Sequence, residues 1–599
     1  MKVGAAAAKM DIPGAPRSSS PTHEKTMQTT GAALLEAMRD SGIEYVFANL
    51  GSDHTAFIEA LAAEPAGSRR YPQMITCPNE MVALTAAHGF AQVSGRAQGV
   101  IVHVDCGTQQ LGGAIHNAAK ARVPVLIFAG SSPATQEGEL RGSRNEFIHW
   151  IQDAFDQRGI VRGFMRYDNE IRTGKNVRQL VHRAMQFAYS DPRGPVYLTA
   201  AREVLEAQVD PVRIDRAQWP AVAPAALPPE GVERVAAALA AARRPLVVTS
   251  YIGRNHAAVE ELVRFAGLLG AGVLDSVPSC LNFPTDDPLY QGCQWNEKRQ
   301  NAALAEADLV LAIDSDVPWI PLINHPSDTA QIIHIDVDPL KQQMPLWYIH
   351  AQQVFRADAA TALRQLSARL ETMRLDTPAI AQRRDHYARR HAERKAELER
   401  LESSRSGDLT PEYLTACVRE AIGPEAIVLS EGVTNFPAIS NHCGRTRPGT
   451  FFSAGGGSLG WNGGAAIGAK LARPEAVVAS LTGDGSYLFS QPSTVHWMAR
   501  RYGTPFLHVV YNNVGWRAPR FSTIGVHPEG LAARGEDIDT SFAPAPDHAG
   551  IAAAAGGAHP ETVRSAPEVK PALERAMRAI RDEGRAAVID AMLAPALKA

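Results

Sequence analysis

The sequence predicts an α/β protein built from three doubly wound parallel-sheet domains. Short apolar runs alternate with helical runs along most of the chain, a pattern typical of parallel sheets covered by helices on both faces. At 599 residues the chain is also too long for a single hydrophobic core. The alternation divides the chain into three similar units, and clefts between such units are common ligand sites.

The first unit is predicted over residues 28–205, after a disordered tail at residues 1–27. It opens with the amphipathic helix "GAALLEAMRDSG" and the strand "IEYVFANLG". Two buried strands follow, "GVIVHVD" and "VPVLIFAG", and the unit closes with "GPVYLTA". Residues 206–228 are rich in Pro and Ala and have no steady hydrophobic period, which is typical of a linker.

The second and third units repeat this alternation. The central unit, residues 229–375, contains the predicted strands "PLVVTS", "DLVLAID" and "QIIHIDVDP". A charged stretch at residues 376–408 is predicted to form an exposed helical connector. The third unit, residues 409–599, contains the predicted strands "AIVLSEG", "AVVASLTGD" and "FLHVVYNN".

Composition excludes several classes of function. The 60 basic residues are balanced by 63 acidic ones, so no strong overall charge favours nucleic acid or an anionic membrane. No apolar run reaches the ~20 residues that cross a bilayer, and the first residues lack the apolar segment of a signal peptide. The six scattered cysteines form no CxxC pair, so neither a zinc site nor a disulfide framework is indicated. We therefore expect a cytoplasmic protein that acts on a small molecule.

The stretch "LTGDGSYLF" places Asp484 between two glycines at the end of an apolar strand. A surface turn is one interpretation, because Gly and Asp favour turns for conformational reasons. The next predicted strand, however, ends in Asn512 and Asn513, with Gly515 just beyond. Carboxylate, amide and backbone carbonyl oxygens form the ligand set that Mg²⁺ prefers, with diphosphate oxygens and water completing it. The pattern favours a diphosphate held through Mg²⁺ at the carboxyl ends of parallel strands.

The glycine-rich stretch "AGGGSLGWNGGAAIGAKLA" raises an alternative, because Gly455 to Gly460 satisfy GxGxxG. A nicotinamide site needs this loop to join a first strand directly to a helix, with an acid about 20 residues further on, and Asp484 lies near that spacing. A dehydrogenase is therefore the competing hypothesis. Against it, an acid between two glycines suits close backbone approach to a phosphate better than recognition of a ribose hydroxyl.

The motif "GDGS", followed one helix and one strand later by "NN", resembles the thiamine-diphosphate fingerprint of the acetolactate synthase-like superfamily. The resemblance implies that Asp484 and Asn513 are side-chain ligands of Mg²⁺ and that Gly515 supplies a carbonyl oxygen. The spacing is slightly longer here than in the family, which leaves Asn512 as an alternative to Asn513. The implied cofactor-binding residues are Glu80, Gly457, Ser458, Leu459, Gly483, Asp484, Gly485, Ser486, Asn513, Gly515 and Trp516.

Thiamine chemistry needs a carboxyl group next to the aminopyrimidine ring, since this group drives the tautomer that removes the reactive proton. "CPNEMVALTAAHGFAQVSG" places Glu80 at the start of a helix, in a segment of the form that carries the catalytic glutamate in this family. A glutamate at a helix start is otherwise an ordinary charge near the helix dipole. Leu459 matches the bulky residue that supports the bent cofactor, with Trp461 as the adjacent alternative.

The family also implies an assembly and further catalytic candidates. Because Glu80 lies in the first unit and Asp484 in the third, related enzymes build each site between two subunits, which implies a homodimer at minimum and more often a homotetramer. Further side chains that could handle protons or orient a substrate are Gln109, Gln110, His116, Asn117 and Gln491.

The predicted substrate is a 2-hydroxyacyl-CoA, cleaved reversibly to formyl-CoA and an aldehyde or ketone. "LSEGVTNF" resembles a stretch of oxalyl-CoA decarboxylases and 2-hydroxyacyl-CoA lyases, and "VHWMARRYGTPFLHVVYNNVGWRAPR" resembles actinobacterial-type 2-hydroxyacyl-CoA lyases. Cys106-Gly107-Thr108 replaces the Gly-Pro-Gly turn that is usual in acetolactate synthases. An acetolactate synthase-like transferase or a decarboxylase of pyruvate-type 2-oxo acids is the alternative.

Two further hypotheses concern the central unit and turnover itself. Arg254 and Lys341 follow predicted strand ends where the diphosphate of ADP or CoA could bind, although ordinary solvated charges would also explain them. The same cleft is where FAD binds in acetolactate synthases. A cofactor-binding protein without turnover is the non-enzymatic hypothesis, and the presence of Glu80, Asp484 and Asn513 argues against it.

Overall fold

The computed structural model describes residues 27–593, except 66, 213, 297–298, 348, 404–406 and 536–538. It contains three six-stranded sheets in which all neighbouring strands are parallel, together with one two-stranded antiparallel ribbon. The predicted three-sheet α/β architecture is therefore confirmed. The tail predicted at residues 1–27 lies outside the described residues except for Met27. Among the helices in these ranges, none is long and apolar enough to cross a membrane.

The N-terminal unit contains the ribbon β1–β8 and a sheet with the order β3-β2-β4-β5-β7-β6. Its strands are β1 (Gln28–Thr29), β2 (Tyr45–Ala48), β3 (Gln73–Thr76), β4 (Gln98–Val102), β5 (Val125–Ser131), β6 (Tyr167–Glu170), β7 (Val196–Ala201) and β8 (Gln208–Val209). Its helices are α1 (Thr30–Asp40), α2 (Thr55–Ala62), α3 (Glu80–Ser94), α4 (Val104–Gln110), α5 (Ala114–Lys120), α6 (Ile148–Ile151), α7 (Val177–Tyr189) and α8 (Arg202–Glu206).

The central unit has the strand order β11-β10-β9-β12-β13-β14. Its strands are β9 (Pro245–Thr249), β10 (Gly272–Ser276), β11 (Tyr290–Gln294), β12 (Leu309–Ile313), β13 (Gln331–Asp336) and β14 (Gln353–Arg356). Its helices are α9 (Pro229–Ala241), α10 (His256–Leu269), α11 (Ala302–Glu306), α12 (Ala359–Thr372) and α13 (Thr377–Leu401). The highly charged α13 is anchored by Tyr387, which is buried in the central core and donates a hydrogen bond to the carbonyl of Pro245.

The third unit has the strand order β16-β15-β17-β18-β20-β19, which repeats the winding of the N-terminal sheet. Its strands are β15 (Ile427–Glu431), β16 (Phe451–Ser453), β17 (Val478–Gly483), β18 (Leu507–Asn512), β19 (His559–Val563) and β20 (Ala587–Met592). Its helices are α14 (Pro411–Ile422), α15 (Phe436–His442), α16 (Trp461–Ala472), α17 (Asp484–Phe489), α18 (Pro492–Tyr502), α19 (Arg517–Val526), α20 (Leu531–Arg534), α21 (His548–Gly556) and α22 (Ala566–Arg581).

Each sheet has one point where successive connections leave in opposite directions. In the N-terminal sheet this switch point lies between β2 and β4, and in the third unit it lies between β15 and β17. The loops after these strands diverge and leave a crevice at the carboxyl edge, which is the usual ligand position in doubly wound sheets. The predicted strands on both sides of these crevices are present, so the residues that follow these strands are the candidates for a ligand site.

The N-terminal and third units pack together through α3 and α16. Both helices are rich in small residues, and their contact is backbone to backbone: a Cβ added at Gly468 would lie 1.9 Å from the carbonyl oxygen of Ala86. Gly464 similarly leaves room for the hydroxyl of Thr85. Since α3 begins at Glu80 and α16 begins just after the glycine-rich loop, this contact fixes the two helix starts relative to each other.

Candidate active site

The N-terminal crevice contains Glu80, the first residue of α3. The preceding Asn79 caps the helix, because its side chain accepts a hydrogen bond from the N–H of Val82 at 3.1 Å. Glu80 is 8% exposed, and its Oε1 accepts a hydrogen bond from Asn49 Nδ2 at 2.9 Å. A Cβ added at Gly107 would lie 3.4 Å from the same oxygen. The helix cap and the hydrogen bond from Asn49 therefore hold Glu80 in place, with the backbone of Gly107 beside its carboxylate.

A histidine–aspartate pair lies at the switch point beside Glu80. Asp53 follows β2 and His103 follows β4, and His103 Nδ1 lies 2.5 Å from Asp53 Oδ1. The other ring nitrogen, Nε2, lies 2.7 Å from Oε1 of Gln152. A Cβ added at Gly107 would lie 3.3 Å from the Cβ of His103, so Gly107 separates this pair from Glu80. Sequence reasoning missed the pair, because the two residues are adjacent only through the order of the strands.

The electrostatics of the pair favour a protonated imidazole. The hydrogen bond to Asp53 is the main cause that raises the pKa of His103, and burial opposes it. Burial raises the pKa of Asp53, but the nearby His54 and His103 outweigh burial, so that the pKa of Asp53 is lowered. The His103 side chain is 19% exposed whereas Asp53 is buried, so the imidazole is accessible from the crevice while its partner is shielded from solvent.

In the third unit, Asp484 is buried directly after β17. Its two carboxylate oxygens accept hydrogen bonds from the N–H groups of Gly485 at 2.8 Å and Gly515 at 2.9 Å. Burial raises the pKa of Asp484, and these two N–H groups partly oppose that effect. A side chain at Gly515 would lie 2.3 Å from the carbonyl oxygen of Thr540, which explains why this turn requires glycine.

The two neighbouring asparagines have different surroundings. Asn512 is fully buried, and its Nδ2 donates to Asp590 at 2.9 Å while its Oδ1 accepts from the N–H of Val514 at 3.0 Å. Asn513 Oδ1 is buried without a hydrogen-bond partner in the described part of the chain. Asn513 lies two residues before Gly515, whose N–H donates to Asp484, and a buried oxygen without a partner is available to accept a donor or a cation.

The glycine-rich loop, residues 455–460, is held by the N-terminal unit. Asn117 bonds both to the N–H of Ser458, at 3.0 Å, and to the Ser458 carbonyl, at 2.8 Å. His116 lies against the same loop, since a Cβ added at Gly456 would lie 2.9 Å from its ring. Burial lowers the pKa of His116, and Lys120 adds to that effect. The loop thus connects two of the predicted side chains to the predicted cofactor site.

Leu459 and Trp461, the two candidates for the residue that supports the bent cofactor, differ in burial. Trp461 is completely buried and packs against His88, with ring centroids 5.8 Å apart, so it belongs to the core between α3 and α16. Leu459 is only partly buried and lies inside the glycine-rich loop. Leu459 is therefore the residue that can meet a ligand.

The remaining predicted residues divide into a buried group and an exposed group. Gly483, Gly485 and Ser486 are buried at the start of α17, and a Cβ added at Gly485 would lie 2.2 Å from the ring of Trp516. Four residues are exposed: Gly457, Gln109 and Gln110 at the end of α4, and Gln491 between α17 and α18. The exposed glutamines contact neither of the crevice carboxylates through the hydrogen bonds of the described residues.

The two predicted cations of the central unit are both used in ion pairs with other side chains of the chain. Lys341 is fully buried, and its Nζ lies 2.6 Å from Asp336 and 2.8 Å from Asp316. Arg254 pairs with Asp191 at 2.6 Å and approaches Asp314 at 3.6 Å. These side chains are neither solvated surface charges nor free ligands for a diphosphate.

Comparison with known families decides what kind of site this is. The chain matches the N-terminal TPP-binding domain of thiamine pyrophosphate enzymes at residues 28–160, their central domain at residues 232–366 and their C-terminal TPP-binding domain at residues 432–591. The chain belongs to the thiamine pyrophosphate enzymes. The predicted family resemblance is confirmed. The dehydrogenase hypothesis is wrong, and the fold explains why: the GxGxxG loop follows the edge strand β16, not the first strand β15.

This thiamine pyrophosphate enzyme is similar to proteins of several activities. It is 28% identical to a sulfoacetaldehyde acetyltransferase of Castellaniella defragrans, over 94% of this chain and 93% of that protein. It is 27% identical to a probable 2-ketoarginine decarboxylase of Pseudomonas aeruginosa, over 86% of this chain and 88% of that protein. Its fold matches a thiamine diphosphate-dependent 4-hydroxybenzoylformate decarboxylase of Rhodococcus jostii RHA1 with a TM-score of 0.75 and 21% identity, covering 95% of this chain and 100% of the other.

Proposed function

We propose that this thiamine pyrophosphate enzyme is a decarboxylase and carboligase of small 2-oxo acids. The observation that carries the proposal is the His103–Asp53 pair beside Glu80. Loss of carbon dioxide from a 2-oxo acid leaves a carbon that must take up one proton to become an aldehyde. A histidine whose pKa is raised by a buried carboxylate is a suitable donor near neutral pH.

The proposed metal site consists of Asp484, Asn513 and the carbonyl of Gly515. Asp484 supplies a buried carboxylate, and Asn513 supplies the buried oxygen that has no hydrogen-bond partner among the described residues. Oxygen ligands of this kind suit Mg²⁺, which would tie a diphosphate to the turn at residues 483–486. Thiamine diphosphate, when bound, supplies a nucleophilic carbon that adds to the substrate carbonyl, which is chemistry that no side chain offers.

Glu80 is the proposed proton partner of the pyrimidine ring, and Leu459 the proposed support beneath the cofactor. The hydrogen bond from Asn49 orients the Glu80 carboxylate, and Gly107 places no side chain between Glu80 and His103. The family resemblance implies sites shared between two subunits, so we also propose that the working enzyme is a homodimer at minimum, in which Glu80 of one subunit and Asp484 of the other serve the same site.

A second candidate is the reversible cleavage of a 2-hydroxyacyl-CoA, and a cationic cleft supports it. A cleft of about 110 Å³ between the N-terminal and central units is lined by Lys120, Arg166 and Arg193, and also by Arg122 and Lys341, whose charges are paired with Asp316 in the same wall. The Nε atoms of Arg166 and Arg193 are buried without a hydrogen-bond partner in the described part of the chain. The cleft has room for a diphosphate but is smaller than the roughly 300 Å³ or more that binds a drug-sized ligand, so it supports CoA phosphates better than FAD.

The experiment that separates the candidates compares products. Purified enzyme with thiamine diphosphate and Mg²⁺ is incubated with pyruvate, benzoylformate or 2-ketoarginine, and separately with formyl-CoA plus acetone or benzaldehyde. We expect carbon dioxide and an aldehyde from at least one 2-oxo acid. A 2-hydroxyacyl-CoA product without carbon dioxide release would instead support the second candidate.

A matched pair of variants tests the role of Glu80. Glu80→Gln should lower turnover by about 100-fold or more, because the amide cannot exchange a proton with the ring. Glu59→Gln changes an exposed glutamate of the same unit and should leave turnover unchanged. Equal activity of the two variants would contradict the proposal.

A further inference from the structure

The roles proposed so far leave out a deeply buried carboxylate beside the glycine-rich loop. Glu431 is the last residue of β15, at the switch point of the third unit, and it is 6% exposed. Its Oε1 accepts a hydrogen bond from the N–H of Gly460 at 2.6 Å. Its Oε2 accepts from the N–H of Asn462 at 2.8 Å and from Asn462 Nδ2 at 2.7 Å. Through these hydrogen bonds, Glu431 therefore holds together the end of the glycine-rich loop and the start of α16.

The hydrogen bonds of Glu431 favour its ionised form. Each bond that the structure gives this carboxylate comes from a donor, which matches a carboxylate better than a carboxylic acid. Burial raises the pKa of Glu431 to about 7, while the donors of Asn462 and Gly460 act in the opposite direction. A buried carboxylate that receives three donors holds its partners more strongly than a neutral acceptor would.

Asn462 connects Glu431 to a second strand through a further hydrogen bond. Asn462 is fully buried, and its Oδ1 lies 2.8 Å from Nε2 of His508, in β18. Burial lowers the pKa of His508 well below its usual range, so the ring is neutral. Because the Asn462 amide points its NH₂ group at Glu431, its oxygen faces His508, and Nε2 must be the protonated nitrogen. The chain Glu431–Asn462–His508 thus runs from β15 to β18 across the intervening β17.

The backbone conformation of the loop is sterically constrained at Gly460, the residue that Glu431 holds. Gly460 has a φ of +91°, and a Cβ there would lie 2.7 Å from the carbonyl oxygen of Phe489 and 3.1 Å from Met81 Cε. Leu459 is the residue immediately before it. The N–H groups of Gly460 and Asn462 both donate to Glu431, so the carboxylate ties the end of the loop to the first turn of α16.

We infer that Glu431 is a positioning residue that sets the place of Leu459 and, through it, the affinity of the site for thiamine diphosphate. The inference rests on the proposed role of Leu459. Both carboxylate oxygens of Glu431 accept hydrogen bonds from Gly460 and Asn462, so its effect should appear first as a change in loop order and cofactor binding, before any effect on chemistry.

The test compares Glu431→Gln with Asp275→Asn. Asp275 is a matched control in the central unit: it is buried, it accepts from Asn282 Nδ2 at 3.0 Å and from the Tyr290 hydroxyl at 3.0 Å, and burial raises its pKa to about 7. Each substitution replaces a buried carboxylate by its amide. Thiamine diphosphate affinity is measured by calorimetric titration with Mg²⁺, and amide hydrogen exchange of residues 455–462 is measured without cofactor.

We expect Glu431→Gln to weaken thiamine diphosphate binding by about tenfold or more and to speed exchange at Gly460 and Asn462. Asp275→Asn should lower thermal stability but leave the affinity and the loop exchange unchanged. His508→Phe provides a milder variant if Glu431→Gln does not fold, and it should move both readouts in the same direction.

Two outcomes are distinguishable. If the affinity of Glu431→Gln stays within twofold of the unaltered protein while its stability falls as in Asp275→Asn, Glu431 is only structural and the inference is overturned. If the unaltered protein binds no thiamine diphosphate, the proposed function itself fails.

Discussion

At the residue scale, burial distinguishes side chains that the sequence leaves equivalent. Asn512 and Asn513 are adjacent and chemically identical. The Asn512 side chain makes hydrogen bonds with Asp590 and with the N–H of Val514, whereas Oδ1 of Asn513 is buried and has no partner among the described residues. Leu459 and Trp461 differ in the same way, because Trp461 belongs entirely to the core. The chemistry of a position therefore depends on which of its atoms the fold has already used.

The asparagine pair gives a direct prediction. Asn513→Ala should weaken Mg²⁺-dependent thiamine diphosphate binding by about 10- to 100-fold, with little change in the stability of the cofactor-free protein, since Oδ1 has no protein partner to lose. Asn512→Ala should cost about 1–3 kcal/mol of unfolding free energy, because it leaves buried partners unpaired. Cofactor titration and chemical denaturation check the two effects. Normal cofactor binding by Asn513→Ala would rule out its role as a ligand.

The His103–Asp53 pair predicts a pH dependence of stability. The folded-state pKa of His103 is raised, so its contribution is complete below the ordinary value of 6.5 and is lost as pH rises through the raised pKa. The pKa of Asp53 is lowered, so its contribution is present above the ordinary value of 3.8 and is lost only as pH falls through the lowered pKa.

Asp53→Asn should therefore destabilise the protein more at pH 6 than at pH 9. Thermal unfolding of the unaltered protein and of the variant, recorded at both pH values, provides the measurement, because groups common to both proteins cancel in the difference. A penalty that is the same at pH 6 and pH 9 would contradict the assigned pairing. The variant should also lose turnover, since the proposed proton donor would have a lower pKa.

At the element scale, the contact between α3 and α16 connects the two crevices. The helices meet through glycines, with a Cβ at Gly89 placed 2.4 Å from the carbonyl oxygen of Ala465 and one at Gly468 placed 1.9 Å from that of Ala86. Such close backbone approach leaves no side chain that could adjust. Glycine here is required by packing, in spite of its unfavourable helix propensity.

A matched pair of helix substitutions tests this contact. Gly468→Ala should destabilise the protein by about 1–3 kcal/mol, because the backbones of α3 and α16 must separate. Gly267→Ala places the same methyl group in α10, where no atom lies within 4 Å, and should be neutral or stabilising by up to about 1 kcal/mol. Calorimetric unfolding compares them. Equal stability of the two variants would show that the interface can relax.

At the scale of the whole molecule, buried ion pairs join the N-terminal and central units. Arg122 of the first unit makes a two-bond pair with Asp316 of the second, at 2.8 and 3.0 Å, and lies over the ring of Tyr251. Asp316 also accepts from the fully buried Lys341. Burial raises the pKa of Asp316, but Arg122 and Lys341 outweigh it, so that the pKa falls well below its usual range.

Removing the shared carboxylate should loosen the two units. Asp316→Asn should cost about 3 kcal/mol, because it leaves two buried cations without their common partner. Glu425→Gln breaks an exposed pair with Arg447 and should leave the unfolding temperature nearly unchanged. Differential scanning calorimetry checks both. If the first unfolding transition of Asp316→Asn occurs at the same temperature as that of the unaltered protein, the ion pairs do not hold the units together.

The sequence by itself determined the fold class and the central strands of each sheet. Buried parallel strands such as β9 and β12 are nearly continuous apolar runs, so they can be predicted from their own sequence. Short polar strands at sheet edges, such as β6 and β14, give no such signal, because one side of each faces solvent or a loop. The motif around Asp484 and the segment around Glu80 were likewise readable, since each is a local pattern.

Only the tertiary structure decided which side chains meet. Asp53 and His103 are separated in sequence by two helices and two strands, and they become neighbours because the winding of the sheet reverses between β2 and β4. Glu431 reaches the glycine-rich loop for the same reason, at the switch point of the third sheet. Local patterns record hydrophobicity and turn chemistry, whereas strand order depends on how the whole chain packs, and the contacts that depend on that order cannot be read from any short stretch.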